Sequence, residues 1–235
     1  MKKVNRLESE FEHFSKLGHI WWGAKTVAGQ RRYDNKAKMF KKICKVKKND
    51  KILEIGCGDG EFTRRLAKFG NKIVSIDATP KMIKLTSKKV NSKNVKFIVQ
   101  NAENLSFKNN TFDMVCGVSI LHHLDYGKSL KEAHRVLKKE GKIFFTEPNI
   151  VNPHMFMAHN ISFLRKRMEL SPYEIAFTRW QLVEVLQRAG FKNIAVKNYD
   201  FLHPKIPKWA ISYAEKVGSF LEILPVVKEI SGSLI

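Results

Sequence analysis

From residue 50 onward, apolar runs of strand length alternate with segments that have helical spacing. The apolar runs are KILEIG (51–56), KIVSID (72–77), VKFIVQ (95–100), FDMVCGVSI (112–120) and KIFFTE (142–147). The segments EFTRRLAKFG (61–70), TPKMIKLTSKKV (79–90) and GKSLKEAHRVLKKEG (127–141) carry apolar residues at helical spacing between several of these runs. Strands that alternate with helices and are apolar almost throughout predict a parallel sheet covered by helices on both faces.

The signals at the helix ends support this alternation. Thr79 is placed as an N-cap and Pro80 as the first helical residue of its segment. Gly70 and Gly141 close the other two helical segments.

The regular alternation ends after Glu147. Residues 148–177 show no sheet period, TRWQLVEVLQRAGF (178–191) predicts a helix, and KNIAVKNYDF (192–201) predicts a strand. The tail from 209 to 230 predicts one or two amphipathic helices, and SGSLI (231–235) has the pattern of the start of a final edge strand. We therefore expect a single domain over 1–235, with a helical N-terminal extension (1–49), a core (50–148), an insert (148–177) and a C-terminal part (178–235).

The net charge of +21 has two interpretations. An anionic partner, such as RNA, DNA or an anionic membrane surface, is one of them. The other, which we favour, is a lysine-rich solvated surface. The densest cluster, KAKMFKKICKVKK (36–48), predicts one amphipathic helix with a basic outer face, and its apolar positions are Met39, Phe40, Ile43 and Val46.

Cysteine spacing and hydropathy exclude several classes of protein. Cys44, Cys57 and Cys116 are widely spaced without a CxxC pair, which argues against a disulfide scaffold or a zinc site and fits the cytoplasm. No apolar run reaches the roughly 18 residues that a membrane span needs.

A glycine loop, LEIGCGDGEF (53–62), follows the first strand and begins the first helix of the core. Its glycines read G-x-G-x-G, whereas a dinucleotide fingerprint needs a third glycine where Glu61 stands, and no Gly-Lys-Ser/Thr follows. A carboxylate at position 61 suits a pyrophosphate poorly. Asp77 ends the second strand, where a carboxylate accepts hydrogen bonds from ribose hydroxyls. A ligand with a ribose and no phosphates fits this loop, and S-adenosylmethionine (SAM) is such a ligand.

Five ordered motifs resemble those of class I SAM-dependent methyltransferases, and most of all the type 11 subgroup that includes quinone-pathway enzymes. They are LEIGCGDG, SIDATPKMI, NAENLSFKNNTFDMV, LHHL and RVLKKEGKIFFTEP. The resemblance is strong over about 50–148 and weak over 178–198. It implies a Rossmann-like, doubly wound α/β sheet, and a reaction that converts SAM to S-adenosylhomocysteine.

The resemblance also implies a cofactor role for ten residues. It places Gly56, Gly58 and Gly60 against the methionine part of SAM, Glu54 near its ammonium, Asp77 on the ribose, Ala78 and Met82 beside the adenine, and Asn101, Ala102 and Glu103 along the adenine edge. Asn101 stands where the family usually has Asp, and an amide oxygen also accepts a hydrogen bond. Two alternatives stay open, since Met82 also suits a helix core and Glu103 also suits a cap on the following turn.

Two further segments are expected to form the acceptor side. Residues 10–36 resemble the first helix and lid of quinone-pathway O-methyltransferases, which implies that Trp21, Trp22, Arg32 and Tyr33 close over SAM and acceptor. The alternative is that the tryptophans only anchor the extension. The insert supplies Asn149 and His154 to an apolar pocket, together with Met155, Phe156, Met157 and His159. Its alternative is a buried helix that uses methionine as filler.

His122 and His123 stand side by side at the predicted end of the fourth strand. If the strand continues there, the two side chains point to opposite faces, which argues against joint ligation of one metal. By the resemblance, Ser119 and His122 occupy the positions of two glutamates in magnesium-binding relatives, and only His123 matches. Because imidazole is a poor magnesium ligand, no metal is expected. Either both histidines are structural, or one is a general base.

The leading hypothesis is an enzyme that methylates an O or N atom of a small or lipid-like acceptor, with peripheral contact at an anionic membrane surface. An RNA or protein methyltransferase that uses the basic surface is the alternative. Two nucleic-acid signatures are missing: no Asn/Asp-Pro-Pro-aromatic motif follows the fourth strand, and Cys116 lies mid-strand without a Pro-Cys. A non-catalytic SAM-binding module is the third hypothesis.

Overall fold

The computed structural model describes Arg6, Ser9, Glu10, Glu12, His13, and residues 23–171 and 173–235. The chain divides into two compact units, Gln30–Phe145 and Met1–Gly29 with Thr146–Ile235. Within the described residues, no helix is both long enough and apolar enough to cross a membrane.

The first unit contains four complete strands and most of a fifth. They are β1 (Lys51–Ile55), β2 (Lys72–Asp77), β3 (Val95–Val99), β4 (Phe112–Val118) and most of β5 (Leu137–Pro148). β1 pairs in parallel with both β2 and β4, and β2 pairs in parallel with β3. β1 is the most deeply buried of these strands, because Ile52, Leu53 and Ile55 are almost fully excluded from solvent.

Helices accompany these strands in chain order. They are α1 (Val27–Cys44), α2 (Glu61–Ala67), α3 (Pro80–Lys89) and α4 (Tyr126–Val136), and a 3-10 turn at Leu121–His123 precedes α4. Phe40 of α1 is fully buried, with its ring centroid 6.2 Å from that of Phe62 and 5.3 Å from that of Phe144. This aromatic contact fixes the basic helix to the apolar core of its unit.

The second unit contains shorter elements. They are α5 (Pro153–Asn160), α6 (Ser162–Arg167), α7 (Arg179–Arg188), α8 (Ile211–Leu221), β6 (Asn198–Tyr199), β7 (Ser233–Leu234), and 3-10 turns at Lys208–Ala210 and Val227–Ile230. Thr178 and Gln181 form a reciprocal capping box at the start of α7. β7 pairs antiparallel with β6 and with Glu147 and Pro148 at the end of β5.

The strand order is β3-β2-β1-β4-β5-β7-β6, so seven strands form a mostly parallel sheet. The predicted α/β fold class is confirmed, and the strands predicted at 51–56, 72–77 and 95–100 agree within one residue. The edge position predicted for SGSLI is wrong, because β7 lies between β5 and β6. The strand predicted over 192–201 is reduced to Asn198–Tyr199.

Two helix predictions also need correction. The helix predicted to run to Gly141 ends at Val136, because Leu137 adopts an extended conformation and begins β5. The basic helix begins earlier than residue 36 and ends at Cys44, since Lys45 has a φ of 53°. Ile43, predicted on its apolar face, is 51% exposed. The single-domain organisation and its internal boundaries stay predictions.

Candidate active site

The glycine loop leaves β1 and turns sharply into α2. All three glycines have positive φ, namely 72° at Gly56, 49° at Gly58 and 81° at Gly60. The amides of Gly56 and Cys57 both donate to the carbonyl of Ile76, at 2.9 and 3.0 Å, which holds the loop against the end of β2. A Cβ atom at Gly56 would lie 2.4 Å from the Cγ1 atom of Ile120. Backbone conformation and packing therefore both require glycine at position 56.

Thr86 of α3 supports the same loop from the other side. Its hydroxyl donates to the carbonyl of Gly58 at 2.5 Å, and a Cβ atom at Gly60 would lie 2.6 Å from its methyl carbon. The sequence predicted that these glycines are needed only to let a ligand approach the backbone. The structure shows that side chains of the protein itself fill the space at Gly56 and Gly60. Sequence reasoning missed Thr86, since a buried threonine in a helix has no distinguishing local pattern.

Asp77 ends β2 beside this loop. Its Oδ2 atom accepts from the amide of Gly58 at 3.0 Å, and Oδ1 accepts from the amide of Thr79 at 2.9 Å. Burial raises the pKa of the Asp77 carboxyl, and the two backbone hydrogen bonds oppose that rise. Each carboxylate oxygen has a second lone pair, so Asp77 is able to accept two hydroxyl groups of a ribose in addition.

Glu54 lies in the middle of the buried face of β1, and only 1% of it is exposed. Its Oε2 atom accepts from the hydroxyls of Thr63 at 2.7 Å and Ser75 at 2.6 Å. Burial raises the pKa of Glu54 to about 7, although both hydroxyl hydrogen bonds oppose the rise, and the neighbouring Asp77 adds to it. Among the described residues no donor bonds Oε1, so that oxygen suits a ligand ammonium.

Glu61 is the first residue of α2, and three cations surround its side chain, which is 6% exposed. Lys89 approaches Oε1 at 2.5 Å, and Arg65 and Arg64 approach Oε2 at 2.8 and 3.1 Å. Burial acts to raise the pKa of Glu61, but the hydrogen bonds from Lys89 and Arg65 outweigh it and lower the pKa to about 2. The carboxylate thus ties α2 to α3, and it occupies the helix start where a pyrophosphate would otherwise bind.

The segment after β3 forms a chain of hydrogen bonds towards α4. Oδ1 of Asn101 accepts from the amide of Glu103 at 2.9 Å, and Oε1 of Glu103 accepts from the amide of Asp125 at 2.9 Å. Asp125 in turn caps α4 by accepting from the amide of Lys128 at 3.1 Å. Glu103 thus contacts the residue before α4, 22 positions further on, and its cap on the following turn and its position along the adenine edge both stay predictions.

The predicted adenine neighbours differ in exposure. Met82 is 2% exposed on α3 and Ala102 is 5% exposed, whereas Ala78 is on the surface. The helix-core alternative for Met82 is thus supported by its burial. The contacts of these three residues with the adenine stay predictions.

The two histidines lie together in the 3-10 turn Leu121–His123, because β4 already ends at Val118. Both side chains are buried, and their ring centroids are 4.0 Å apart. The argument from strand alternation therefore fails, since the turn brings both imidazoles to the same place. The expectation of no metal now rests on the missing glutamates and on the weakness of imidazole as a magnesium ligand, and either ring stays a candidate base.

Of the four predicted lid residues, Trp21 and Trp22 lie outside the described residues. Arg32 and Tyr33 lie on α1. The Tyr33 ring contacts the Nζ atom of Lys36 and the guanidinium of Arg65, at 5.3 and 5.5 Å from its centroid. Burial and the charge of Asp59 raise the pKa of Tyr33. These contacts hold Tyr33 within its own unit, and its lid role stays a prediction.

Asn149 and His154 belong to the second unit. Asn149 is fully buried, and its amide nitrogen donates to the carbonyls of Glu229 at 2.8 Å and Ser231 at 2.9 Å. Its oxygen accepts from the amide of Val151 at 3.1 Å. These bonds give Asn149 a structural role, and its contact with the acceptor stays a prediction.

The insert itself forms the surface helices α5 and α6. His154 is exposed, with its ring 6.2 Å from that of His203. The buried-helix alternative is wrong, because Phe156 and Met157 are exposed and only Ala158 of α5 is buried. The pocket predicted for the insert stays a prediction.

Comparison with known proteins places this site in a family. Residues 53–145 match the family described as a methyltransferase domain. A demethylmenaquinone methyltransferase of Lactobacillus johnsonii is 30% identical over 185 residues, which cover 68% of this chain and 74% of that protein. The chain belongs to the SAM-dependent methyltransferases. A ubiquinone biosynthesis O-methyltransferase of Pelagibacter ubique is 28% identical to this methyltransferase, over 85% of the chain and 88% of the relative.

Two further matches define the extent of the similarity. An uncharacterized protein of Methanocaldococcus jannaschii is 34% identical, but the match covers only 50% of this methyltransferase and 51% of that protein. A SAM-dependent methyltransferase of Thermotoga maritima, described as a possible histamine N-methyltransferase, has a TM-score of 0.66 and 23% identity. That match covers 85% of this methyltransferase and 88% of the other chain, and it confirms the fold.

Proposed function

We propose that this enzyme transfers the methyl group of SAM to an O or N atom of a small or lipid-like acceptor. The observation that carries the proposal is the Asp77 carboxylate, which is anchored to the Gly58 amide and keeps lone pairs for two ribose hydroxyls. Oε1 of Glu54 provides a second contact, to the ammonium of the methionine part. Glu61 is neutralised by its own cations, so the loop has no clamp for phosphate.

Methyl transfer depends more on the alignment of the acceptor with the methyl group than on a covalent bond to the protein. SAM supplies the methyl group: the acceptor forms a bond to the methyl carbon while the carbon–sulfur bond breaks, and S-adenosylhomocysteine leaves. The protein has to hold the acceptor in line and exclude water. A hydroxyl acceptor also loses its proton, and we assign that step to His122 or His123, whose rings are buried beyond the end of β4.

The relatives support a small or lipid-like acceptor, since two of them are named for quinone pathways. The insert also has apolar side chains available at its surface, because Phe156, Met157 and Phe163 are all exposed. An RNA or protein acceptor is the alternative, and the net charge of +21 favours it. We place the enzyme in the cytoplasm, in peripheral contact with an anionic membrane.

The first experiment is calorimetric titration of the protein with SAM and with S-adenosylhomocysteine. We expect saturable binding of both, and no binding of NAD. Failure to bind either compound would remove the proposed cofactor site.

The second experiment identifies the acceptor class. The protein is incubated with SAM labelled in its methyl group and with fractionated cell extract, and label is counted in the lipid, small-molecule, RNA and protein fractions. Label in the lipid or small-molecule fraction supports the proposal. Label that appears only in RNA or protein supports the alternative, and SAM binding without label in any fraction indicates a non-catalytic module.

A further inference from the structure

Helix α8 buries Ile211 and Gly218 and exposes its largest apolar side chains. Ile211 packs in a cluster with Ala28 and Leu202, and Ala214 lies against the same cluster. Gly218, one turn further along, is buried and passes so close to Phe201 that a Cβ atom would lie 3.3 Å from the Cβ of that residue. A helix that is held only by packing normally turns its largest apolar side chains inward.

The opposite face carries an exposed apolar row, here named the α8 stripe. It consists of Trp209, Tyr213, Val217, Phe220, Ile223 and Val226. Trp209 is 86% exposed, Tyr213 73% and Phe220 58%. Tyr213, Val217 and Phe220 are spaced by four and three positions, so they lie along one side of α8. Trp209 lies in the 3-10 turn before the helix, and Ile223 and Val226 follow its end. A contiguous exposed apolar surface of this kind indicates a site that binds a membrane or another molecule.

The charges around the α8 stripe are positive. Lys205, Lys208 and Lys216 are all exposed, and Lys208 and Lys216 lie next to or between the aromatic residues. Of the nearby acids, Glu215 of α8 is half-buried, Glu222 accepts from the amide of Asp200 at 2.8 Å, and Glu229 lies 3.5 Å from Arg179. The stripe therefore joins aromatic and aliphatic groups to a cationic border.

We propose that the α8 stripe binds the surface of an anionic lipid bilayer. Tryptophan and tyrosine favour the boundary between headgroups and acyl chains, and lysines beside them attract anionic headgroups. Another copy of this chain fits the stripe poorly, because two molecules that each carry a charge of +21 repel each other. The inference names the surface behind the peripheral contact in the proposed function, and it holds whichever acceptor is methylated.

Flotation of the full chain with lipid vesicles tests the proposal. We expect binding to vesicles of phosphatidylcholine with phosphatidylglycerol, and much weaker binding to phosphatidylcholine alone. The variant Trp209→Ser with Phe220→Ser should reduce the partition coefficient on anionic vesicles at least about tenfold, since two large apolar side chains are lost from the contact. Trp180→Ser is the matched control, because Trp180 is 60% exposed on α7 and lies off the stripe.

A second pair of variants tests the cationic border. Lys205→Gln, Lys208→Gln and Lys216→Gln together should weaken binding to anionic vesicles. The same change at three exposed lysines of α1 and its flank, Lys38, Lys42 and Lys48, should weaken it less, although the loss of net charge is equal.

Three outcomes would overturn the proposal. In the first, the wild-type protein does not float with anionic vesicles, and in the second, the double variant floats as well as wild type. In the third, wild type binds no vesicles but forms a dimer, and the double variant is a monomer. The last result would assign the stripe to a second copy of the chain. SAM binding is measured separately by calorimetry, and it shows that each variant is folded. A loss of SAM binding points to the cofactor site, whereas a loss of vesicle binding alone points to the membrane contact.

Discussion

The Asp77 carboxylate accepts a hydrogen bond of 3.0 Å from the amide of Gly58, so the acid at the end of β2 is bonded directly to the glycine loop. The two residues come from the ends of neighbouring parallel strands, β1 and β2. This bond orients the carboxylate before any ligand arrives, which reduces the ordering that binding would otherwise require.

Replacing Asp77 with Asn should weaken SAM binding by about 10- to 100-fold, because charge-assisted hydrogen bonds to the ribose become neutral ones. Asn has only one acceptor oxygen, so it keeps one of the two backbone hydrogen bonds, from Gly58 or from Thr79, and its NH2 group faces the other N–H; we therefore also expect a lower melting temperature. Asp113→Asn is the control, since Asp113 also accepts a backbone amide, that of Lys51 at 2.9 Å, but lies at the start of β4. Equal affinity of the two variants, measured by calorimetry, would contradict the role assigned to Asp77.

Gly56→Ala should lower the free energy of unfolding by about 2–4 kcal/mol, which combines a left-handed backbone with overpacking. Gly70→Ala separates the two causes. Its φ of 77° is close to the 72° of Gly56, but no atom lies within 4 Å of a Cβ placed there. We expect a loss of about 1 kcal/mol for Gly70→Ala in urea denaturation. If both variants lose the same amount, contact with Ile120 is not what requires glycine at position 56.

Glu54→Gln should make stability less sensitive to pH between about pH 4.5 and pH 7. The pKa of Glu54 is raised from 4.5 to about 7, so its contribution to stability is complete below pH 4.5 and is lost as the pH rises through 7. The variant lacks this loss and should gain up to about 3 kcal/mol on wild type between roughly pH 4 and pH 8. Glu140→Gln, on the surface, is the control, and urea denaturation at several pH values measures the gap.

The pH dependence of SAM affinity tests the role of Glu54 independently of protein stability. If the ionised carboxylate pairs with the ligand ammonium, wild-type affinity rises as the pH increases through about 7. The Gln variant should bind more weakly at neutral pH and lack this rise. A wild-type affinity that does not change across pH 7 would remove Glu54 from the ammonium contact.

Glu61→Gln should show the opposite pH dependence. The pKa of Glu61 is lowered from 4.5 to about 2, so its contribution is present above pH 4.5 and is lost as the pH falls through 2. We expect a loss of about 2–3 kcal/mol at neutral pH, less than for a deeply buried pair, since the side chain of Lys89 is 34% exposed. As the pH is lowered towards 2, the difference in the free energy of unfolding between the variant and wild type should become smaller. A difference that does not change with pH would contradict the assignment of Glu61 to ion pairs.

His122→Ala and His123→Ala test the base. One of them should lower kcat by about 10²- to 10⁴-fold and leave SAM affinity unchanged. His134→Ala, on the exposed side of α4, should have no effect. The measurement uses the acceptor fraction that gains label, and full turnover in both variants would end the base hypothesis.

The sequence by itself determined the fold class, β1 to β3, the glycine loop and the placement of Asp77. These features are local: the apolar period defines each strand, and the glycines and Pro80 mark where the chain turns. The resemblance to methyltransferases rests on the same local motifs. Because each signal spans only a few residues, no knowledge of distant contacts is needed to find it.

Only the tertiary structure decided which distant groups meet. Residues far apart in the sequence meet at three places: Gly56 with Ile120, Glu61 with its cations, and Asn149 with the C-terminal segment that buries it. The 3-10 turn that brings the two histidines together also follows no apolar period. The sequence predicted the amphipathic tail and its membrane contact from Trp209, Tyr213, Phe220 and Leu221, but an amphipathic pattern does not say which side of a helix the core covers. The structure shows that Trp209, Tyr213 and Phe220 are exposed.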